Sequence, residues 1–235
     1  MTEHTNKQFD AEMEAIRSGV LSMGGVVEQQ LTRATAALEK EDDAGLLDAV
    51  GADEAAINRL QVAIDQQCAQ IIARRQPTAV DLRMILTVSK IVNDLERIGD
   101  EVKKIARKAA ETWGNTRLAQ VRIYDAAKAL GTTMTMLRLA LDAFARLDVV
   151  AAADVIDRDA AVDAAFASIL RQLVSYMMED PRTITPAIEI VFIAKSIERI
   201  GDHAKNIAEA VVQVVKGKDV RHATVDEIRA EIAQP

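Results

Sequence analysis

A single cysteine, Cys68, stands in 235 residues, so no intrachain disulfide can form and no thiolate zinc site can be built. It lies in an apolar-periodic stretch and reads as a small core hydrophobe. Aromatic residues make up only 3% of the chain, so any core must be packed from Ala, Val, Ile and Leu, which suits closely spaced helices. Four prolines and ten glycines are too few for the frequent turns of a sheet protein, and argue for long helices. The three histidines, His4, His203 and His222, have no metal-type spacing, and no Glu-x-x-His signature of a di-iron bundle occurs. His203 reads as a surface histidine. No apolar run approaches the roughly 20 residues of a membrane span. The opening residues Met1 to Glu14 are polar and lack the apolar centre of a signal peptide, so a cytoplasmic location is expected. There is no Gly-rich phosphate loop, nucleophile elbow or plausible triad. Basic charge is also scarce. With a formal charge of −7 the chain repels a phosphate backbone on average, which argues against nucleic-acid binding. The richest basic stretch, Lys103 to Lys108, is flanked by Glu96, Asp100 and Glu101 and reads as a solvated, salt-bridged helix face.

What the chain does have is a helical sentence written twice. Lys90-Ile-Val-Asn-Asp-Leu-Glu-Arg-Ile-Gly-Asp-Glu-Val-Lys-Lys-Ile-Ala106 returns 102 positions later as Phe192-Ile-Ala-Lys-Ser-Ile-Glu-Arg-Ile-Gly-Asp-His-Ala-Lys-Asn-Ile-Ala208. Nine of the seventeen residues are identical, including the whole Glu-Arg-Ile-Gly-Asp core. A repeat at fixed spacing is one structural unit in two copies. Its retained part is mostly charged, which packing alone does not demand, and this points to two equivalent sites.

Helical periodicity covers nearly everything. A first helix is expected from about Gln8 to Lys40, with Ile16, Val20, Met23, Val27, Leu31 and Leu38 on its apolar face, followed by turn chemistry at Glu41-Asp42-Asp43-Ala44-Gly45. A second runs to Arg75, with Ile57, Leu60, Ile64, Cys68 and Ile71 on one stripe, and ends at Pro77. Thr78 and Asp81 resemble a capping box that opens a third helix reaching Thr112. Trp113-Gly114-Asn115 is the natural boundary between halves. The second half repeats the plan, with helices over Leu118–Arg146 and Val149–Met178, then one to Val215 with Thr185 as N-cap and Pro186 at the first helical position. A short terminal helix is expected over Val225–Ile232. The fold class is all-α: two tandem three-helix bundles related by internal pseudo-symmetry, over 1–113 and 114–220, with a short helical tail over 221–235. Eight methionines, among them Met84, Met134, Met136, Met177 and Met178, read as core gap-fillers.

Glu96 and Asp100 are four apart, so on a helix they stand one turn apart, about 40° from one another. At about 100° per residue they fall roughly 160° from the centre of the stripe Ile91, Leu95, Ile98, Val102 and Ile105. Glu198 and Asp202 hold the same relation to Ile193, Ile197, Ile200, Ala204 and Ile207. Both pairs are therefore expected to point away from the core, into solvent. Gly99 and Gly201 sit beside them and suggest close approach of a ligand shell or another backbone. The preceding helix of each half adds a second pair, Asp159 with Asp163, and Glu54 with Asn58 at the matching first-half positions. Such faces offer hard oxygen ligands, suited to Mg²⁺, Mn²⁺ or iron ahead of a sulfur-loving metal, and a cation would relieve the repulsion of like charges. The competing reading is an ordinary solvated helix face on which Arg97 and Arg199 pair with the acids.

With these segments placed on the third helix of each half, the chain closely resembles the PhoU family of phosphate-transport accessory proteins and negative regulators of the phosphate-starvation response. The resemblance is also carried by Met23-Gly-Gly-Val-Val-Glu-Gln-Gln-Leu31, Ile71-Ile-Ala-Arg-Arg-Gln-Pro-Thr-Ala79 running into Asp81-Leu-Arg83, Leu141-Asp-Ala-Phe-Ala-Arg146 and Arg171-Gln-Leu-Val-Ser-Tyr-Met-Met-Glu-Asp180. It implies multinuclear metal sites at Glu/Asp-x-x-x-Asp pairs, which match Glu96, Asp100, Asp159, Asp163, Glu198 and Asp202; Glu54/Asn58 departs by ending in an amide. The metal would be Mg, Mn, Fe or Zn. It further implies a non-enzymatic adaptor between the phosphate ABC transporter and a membrane sensor histidine kinase, a homodimer that meets the membrane only through protein partners. A different class of function, a metal-dependent enzyme using the carboxylates, is the alternative expectation.

Overall fold

A computed structural model describes residues 7–39, 44–112 and 117–233, with side chains except those of 44 and 111–123. Every described element is helical: α1 (Lys7–Glu39), α2 (Ala44–Arg75), α3 (Ala79–Thr112), α4 (Arg117–Arg146), α5 (Val149–Glu179), a 3₁₀ turn (Pro181–Thr183), α6 (Ile184–Lys216) and α7 (Val225–Ala233). Of the expected turn over Glu41-Asp42-Asp43-Ala44-Gly45, Ala44 and Gly45 already belong to α2, while Glu41-Asp42-Asp43 and the boundary at Trp113-Gly114-Asn115 lie outside the described residues. No described helix is long and apolar enough to cross a membrane.

Short connections force neighbouring helices antiparallel. Gln76 (φ +48°) turns the chain between α2 and α3, and Leu147 (φ +53°) between α4 and α5. Asp148 then caps α5, its Oδ1 accepting the Val150 and Ala151 N–H groups at 3.0 Å each. Helix α6 starts earlier than Thr185: the 3₁₀ turn leads straight into Ile184, and Thr183 precedes the helix without a side-chain cap. Pro186 thus occupies the third helical position, where its missing N–H still costs nothing because first-turn donors have no intrahelical acceptor. At the other end Gly217 adopts the left-handed conformation (φ +77°) and donates its N–H to the Gln213 carbonyl at 2.9 Å. Helix α7 opens with a capping box that inspection of the sequence missed: Thr224 N–H donates to Glu227 at 2.7 Å, and Glu227 N–H returns to the Thr224 hydroxyl at 3.3 Å.

Helices α1–α3 pack together as one bundle and α4–α6 as a second, while α7 lies on α5. The stripes read from the sequence are the core: Ile16, Val20, Met23, Val27 and Leu31 of α1, Ile91, Leu95, Ile98 and Val102 of α3, and Ile193, Ile197, Ile200 and Ala204 of α6 are buried. Of the five methionines singled out, Met136 is fully buried, whereas Met178 is 81% exposed and fills no gap. The two bundles also pack on each other, α3 against α6 and α1 against α4, so the apolar core runs unbroken from one to the other.

The α3–α6 contact is antiparallel along its length. Lys90 bonds Gln213 at 2.9 Å, His203 Nδ1 meets Asp94 at 2.8 Å, Arg199 pairs with buried Glu101 at 3.2 Å and Lys108 with Glu189 at 2.5 Å. His203 is therefore half-buried between the bundles; it is not the surface histidine expected. Between α1 and α4, Arg17 donates to the Ala145 carbonyl at 3.0 Å and Arg138 pairs with Glu28 at 2.7 Å.

Candidate functional site

The four residues expected to act together in the second half do assemble. Asp159 and Asp163 on α5 face Glu198 and Asp202 on α6 across the groove between those helices, close enough that each pair's charge perturbs the other. Asp163 and Asp202 both have pKa values above the ordinary carboxylate range. Partial burial is the largest cause for each; the charges of Asp159 and Glu198 come next for Asp163, and those of Glu198, Asp159 and Asp163 for Asp202. The first half is a weaker copy. Glu96 is raised by burial, then by Asp100, with Glu54 adding from α2 while Arg97 and His203 oppose. Asn58 is exposed and contributes no charge.

The pairs do not project into solvent as a helical wheel predicts. Only Asp163 and Asn58 are exposed; Asp159 is buried, its side chain 6% exposed, and Glu54, Glu96, Asp100, Glu198 and Asp202 are half-buried. The wheel measures angle from a helix's own apolar stripe, and each central helix has two further neighbours. Helices α2 and α5 roof the pairs from within each bundle, and α3 and α6 shade one another. Gly99 and Gly201 explain how the roof comes so close. A Cβ at Gly99 would lie 3.0 Å from Ile57 of α2, and one at Gly201 would lie 3.1 Å from Val162 and 3.6 Å from Asp159 Oδ1 of α5. The close approach expected at these glycines is that of a neighbouring helix.

Ammonium groups hold the acids. Lys205 Nζ bonds Asp159 Oδ2 at 2.8 Å, and its own pKa is raised chiefly by that bond. Lys103, 102 positions earlier, pairs with Glu54 at 2.5 Å. Lys195 bonds both Glu198 oxygens at 2.6 Å. Arg97 approaches Glu96 only to 3.8 Å, and Arg199 turns to Glu101 on α3 instead. Reading Lys103 as part of a solvated basic stretch passes over its role, although the signal is in the sequence: Lys103 and Lys205 form one of the nine identical positions of the repeat, three residues beyond Asp100 and Asp202.

The second groove suits a hard cation. Its donors are all carboxylate oxygens, and Asp159 Oδ1 is buried with no hydrogen-bond partner. An orphaned carboxylate oxygen inside a protein is expensive unless something positive can reach it. As the side chains stand, however, no group of three His, Cys, Asp or Glu among the described residues is arranged to hold a metal ion. A cation would have to draw Asp163, Glu198 and Asp202 inward. Beside Glu54 and Asp100 the first bundle has an open groove of about 430 Å³, lined also by Leu47, Val50, Lys103, Lys104 and Arg107.

Comparison with known proteins agrees with this duplicated architecture. The PhoU domain model matches twice, over residues 20–109 and 127–211. The chain is 45% identical over 233 residues to the phosphate-specific transport system accessory protein PhoU homolog of Pseudomonas putida, covering 99% of this chain and 90% of that one. It is 44% identical over 229 residues to the accessory protein PhoU of Escherichia coli, covering 97% and 93%. Among solved structures, PhoU from Pseudomonas aeruginosa superposes with a TM-score of 0.83 at 45% identity, over 89% of this chain and 100% of that one. The phosphate transport system regulatory protein PhoU from Streptococcus pneumoniae does so at 0.81 and 26% identity, over 90% and 99%.

Proposed function

The chain belongs to the PhoU family, and we propose that it is a cytoplasmic, non-enzymatic regulator of phosphate transport that restrains the phosphate-starvation response. In this reading it works as a homodimeric adaptor, meeting the phosphate ABC transporter on its ATPase side and a phosphate-sensing histidine kinase. The observation that carries it is identity of 45% sustained over 99% of the chain to a phosphate transport accessory protein, with both family domains in place. Deleting the gene and assaying alkaline phosphatase in high phosphate tests it. Constitutive expression is expected, and unchanged repression would count against the regulator.

The grooves are read as metal sites within that adaptor. Asp159, Asp163, Glu198 and Asp202 would hold a divalent or iron-type ion in the second bundle; Glu54, Asn58, Glu96 and Asp100 would hold one less tightly in the first, with one anion fewer. A bound cation would supply charge neutralisation and a bridge to a partner's carboxylate or phosphoryl group, while the helices hold the ligands in place. The adaptor reading is favoured over a metal-dependent enzyme by the relatives themselves, which are named as accessory proteins of phosphate transport over nearly the whole length of the chain. Adding Mn²⁺ should raise the melting temperature. An unchanged shift and metal content in the protein carrying both Glu96→Ala and Glu198→Ala would remove the metal reading.

A further inference from the structure

We infer that Lys103 and Lys205 are built-in stand-ins for the cation: each ammonium holds the acid of the neighbouring helix in the metal-free protein, and a bound metal ion displaces it. The inference rests on reading the two grooves as metal sites. Three observations carry it. The two lysines occupy the same place in the repeat, three residues beyond Asp100 and Asp202, and each reaches across to the acid of the preceding helix, Glu54 at 2.5 Å or Asp159 at 2.8 Å. Lys195, which caps Glu198, has Asn93 at its matching position, so of these three lysines Lys103 and Lys205 are the pair whose arrangement recurs in both bundles.

The second observation is the state of Asp159. Lys205 takes Oδ2 while Oδ1, the other oxygen of the same carboxylate, is buried without a partner. A cation seated on Oδ1 would lie only a few ångströms from Nζ, and two positive centres at that separation in a half-buried groove repel strongly. The third is the nature of the side chain. Lysine is a point charge on a flexible stem, and these two side chains keep 53% and 34% of their surface in solvent, so Nζ can swing outward without unpacking a helix.

The test is Mn²⁺ binding to the full chain by titration calorimetry, in the wild type and in Lys103→Gln, Lys205→Gln and a remote control, Lys218→Gln. Glutamine keeps a donor for the acid and removes the charge. The first two variants should bind about tenfold more tightly at the affected groove, and the control should match the wild type. A second readout needs no variant: amine acylation of the wild type, mapped by mass spectrometry, should rise several-fold at Lys103 and Lys205 when Mn²⁺ is added and stay constant at Lys218. If the wild type binds Mn²⁺ but the glutamine variants bind no more tightly, or the two lysines are not unmasked, the displacement inference is overturned and the metal reading stands. If no form binds Mn²⁺, the metal reading fails and takes this one with it.

Discussion

At the scale of single residues, two adjacent glycines of α1 separate the effects of space and propensity. A Cβ at Gly24 would lie 2.5 Å from Leu141 Cδ1 at the α1–α4 contact, whereas one at Gly25 would meet nothing within 4 Å. Gly25→Ala should therefore stabilise by up to about 1 kcal/mol, the ordinary helix preference of alanine. Gly24→Val should destabilise by about 1–3 kcal/mol, because it overpacks a buried contact between bundles. Denaturant melts of the two variants read this directly, and equal shifts would mean that the contact is slack. Cys68 offers a second check. Burial, with the charge of Asp65 behind it, pushes its thiol up to about 11, so the thiolate is scarce at neutral pH. An aromatic disulfide reagent should leave native protein unmodified over minutes and react at once after unfolding in urea; rapid labelling of folded protein would place the residue elsewhere.

Among elements, α6 carries the most conflict. Besides its two groove acids it buries Glu209, whose pKa is raised first by burial and further by Asp159 and Asp219, against the pull of Lys205 and Arg221. A carboxyl with a raised folded pKa favours the fold fully at pH below its unfolded pKa, and loses that contribution as pH rises through the folded value. Glu209→Gln should therefore melt higher than wild type at pH 7, with the gap closing towards pH 4; a gap that widens on acidification would contradict the burial. The extents of the helices were legible in the sequence because residues such as Ile91, Leu95, Ile98 and Val102 recur at helical spacing on one face. That Glu198 and Asp202 stand together was legible through the repeat, and that Asp159 and Asp163 face them through their spacing of four on the preceding helix. Their burial was not. Periodicity describes one helix against its own stripe, whereas the covering of Asp159 comes from α6, where Gly201 lies against it, and that of Glu96 from α2 and from α6 of the opposite bundle, which no local pattern encodes. The start of α6 was misplaced for a related reason: Asp180 draws the chain into a 3₁₀ turn by accepting the Arg182 N–H at 3.0 Å, and the helix follows without a gap.

For the molecule as a whole, the decisive fact is that its two halves do not keep separate interiors. Most buried side chains run in one cluster from Phe9 of α1 to Ile228 of α7, through Leu95 and Ile98 of α3 and Ile197 and Ile200 of α6, and a smaller one, with Ile169, Leu173 and Ile190, lies between α5 and α6. Losing either bundle would bare the apolar faces by which α3 meets α6 and α1 meets α4, so partial unfolding is penalised. Calorimetry should show a single heat-absorption peak, and two resolved peaks would reveal independent bundles despite the shared core.

Six of the helices are 30 to 34 residues long, and α3 and α6 lie alongside one another from end to end. At 1.5 Å of rise per residue they are rods of about 45–50 Å. Such a stiff strut gives the molecule two remote tips, and two bodies gripped at opposite tips would be kept roughly a helix length apart.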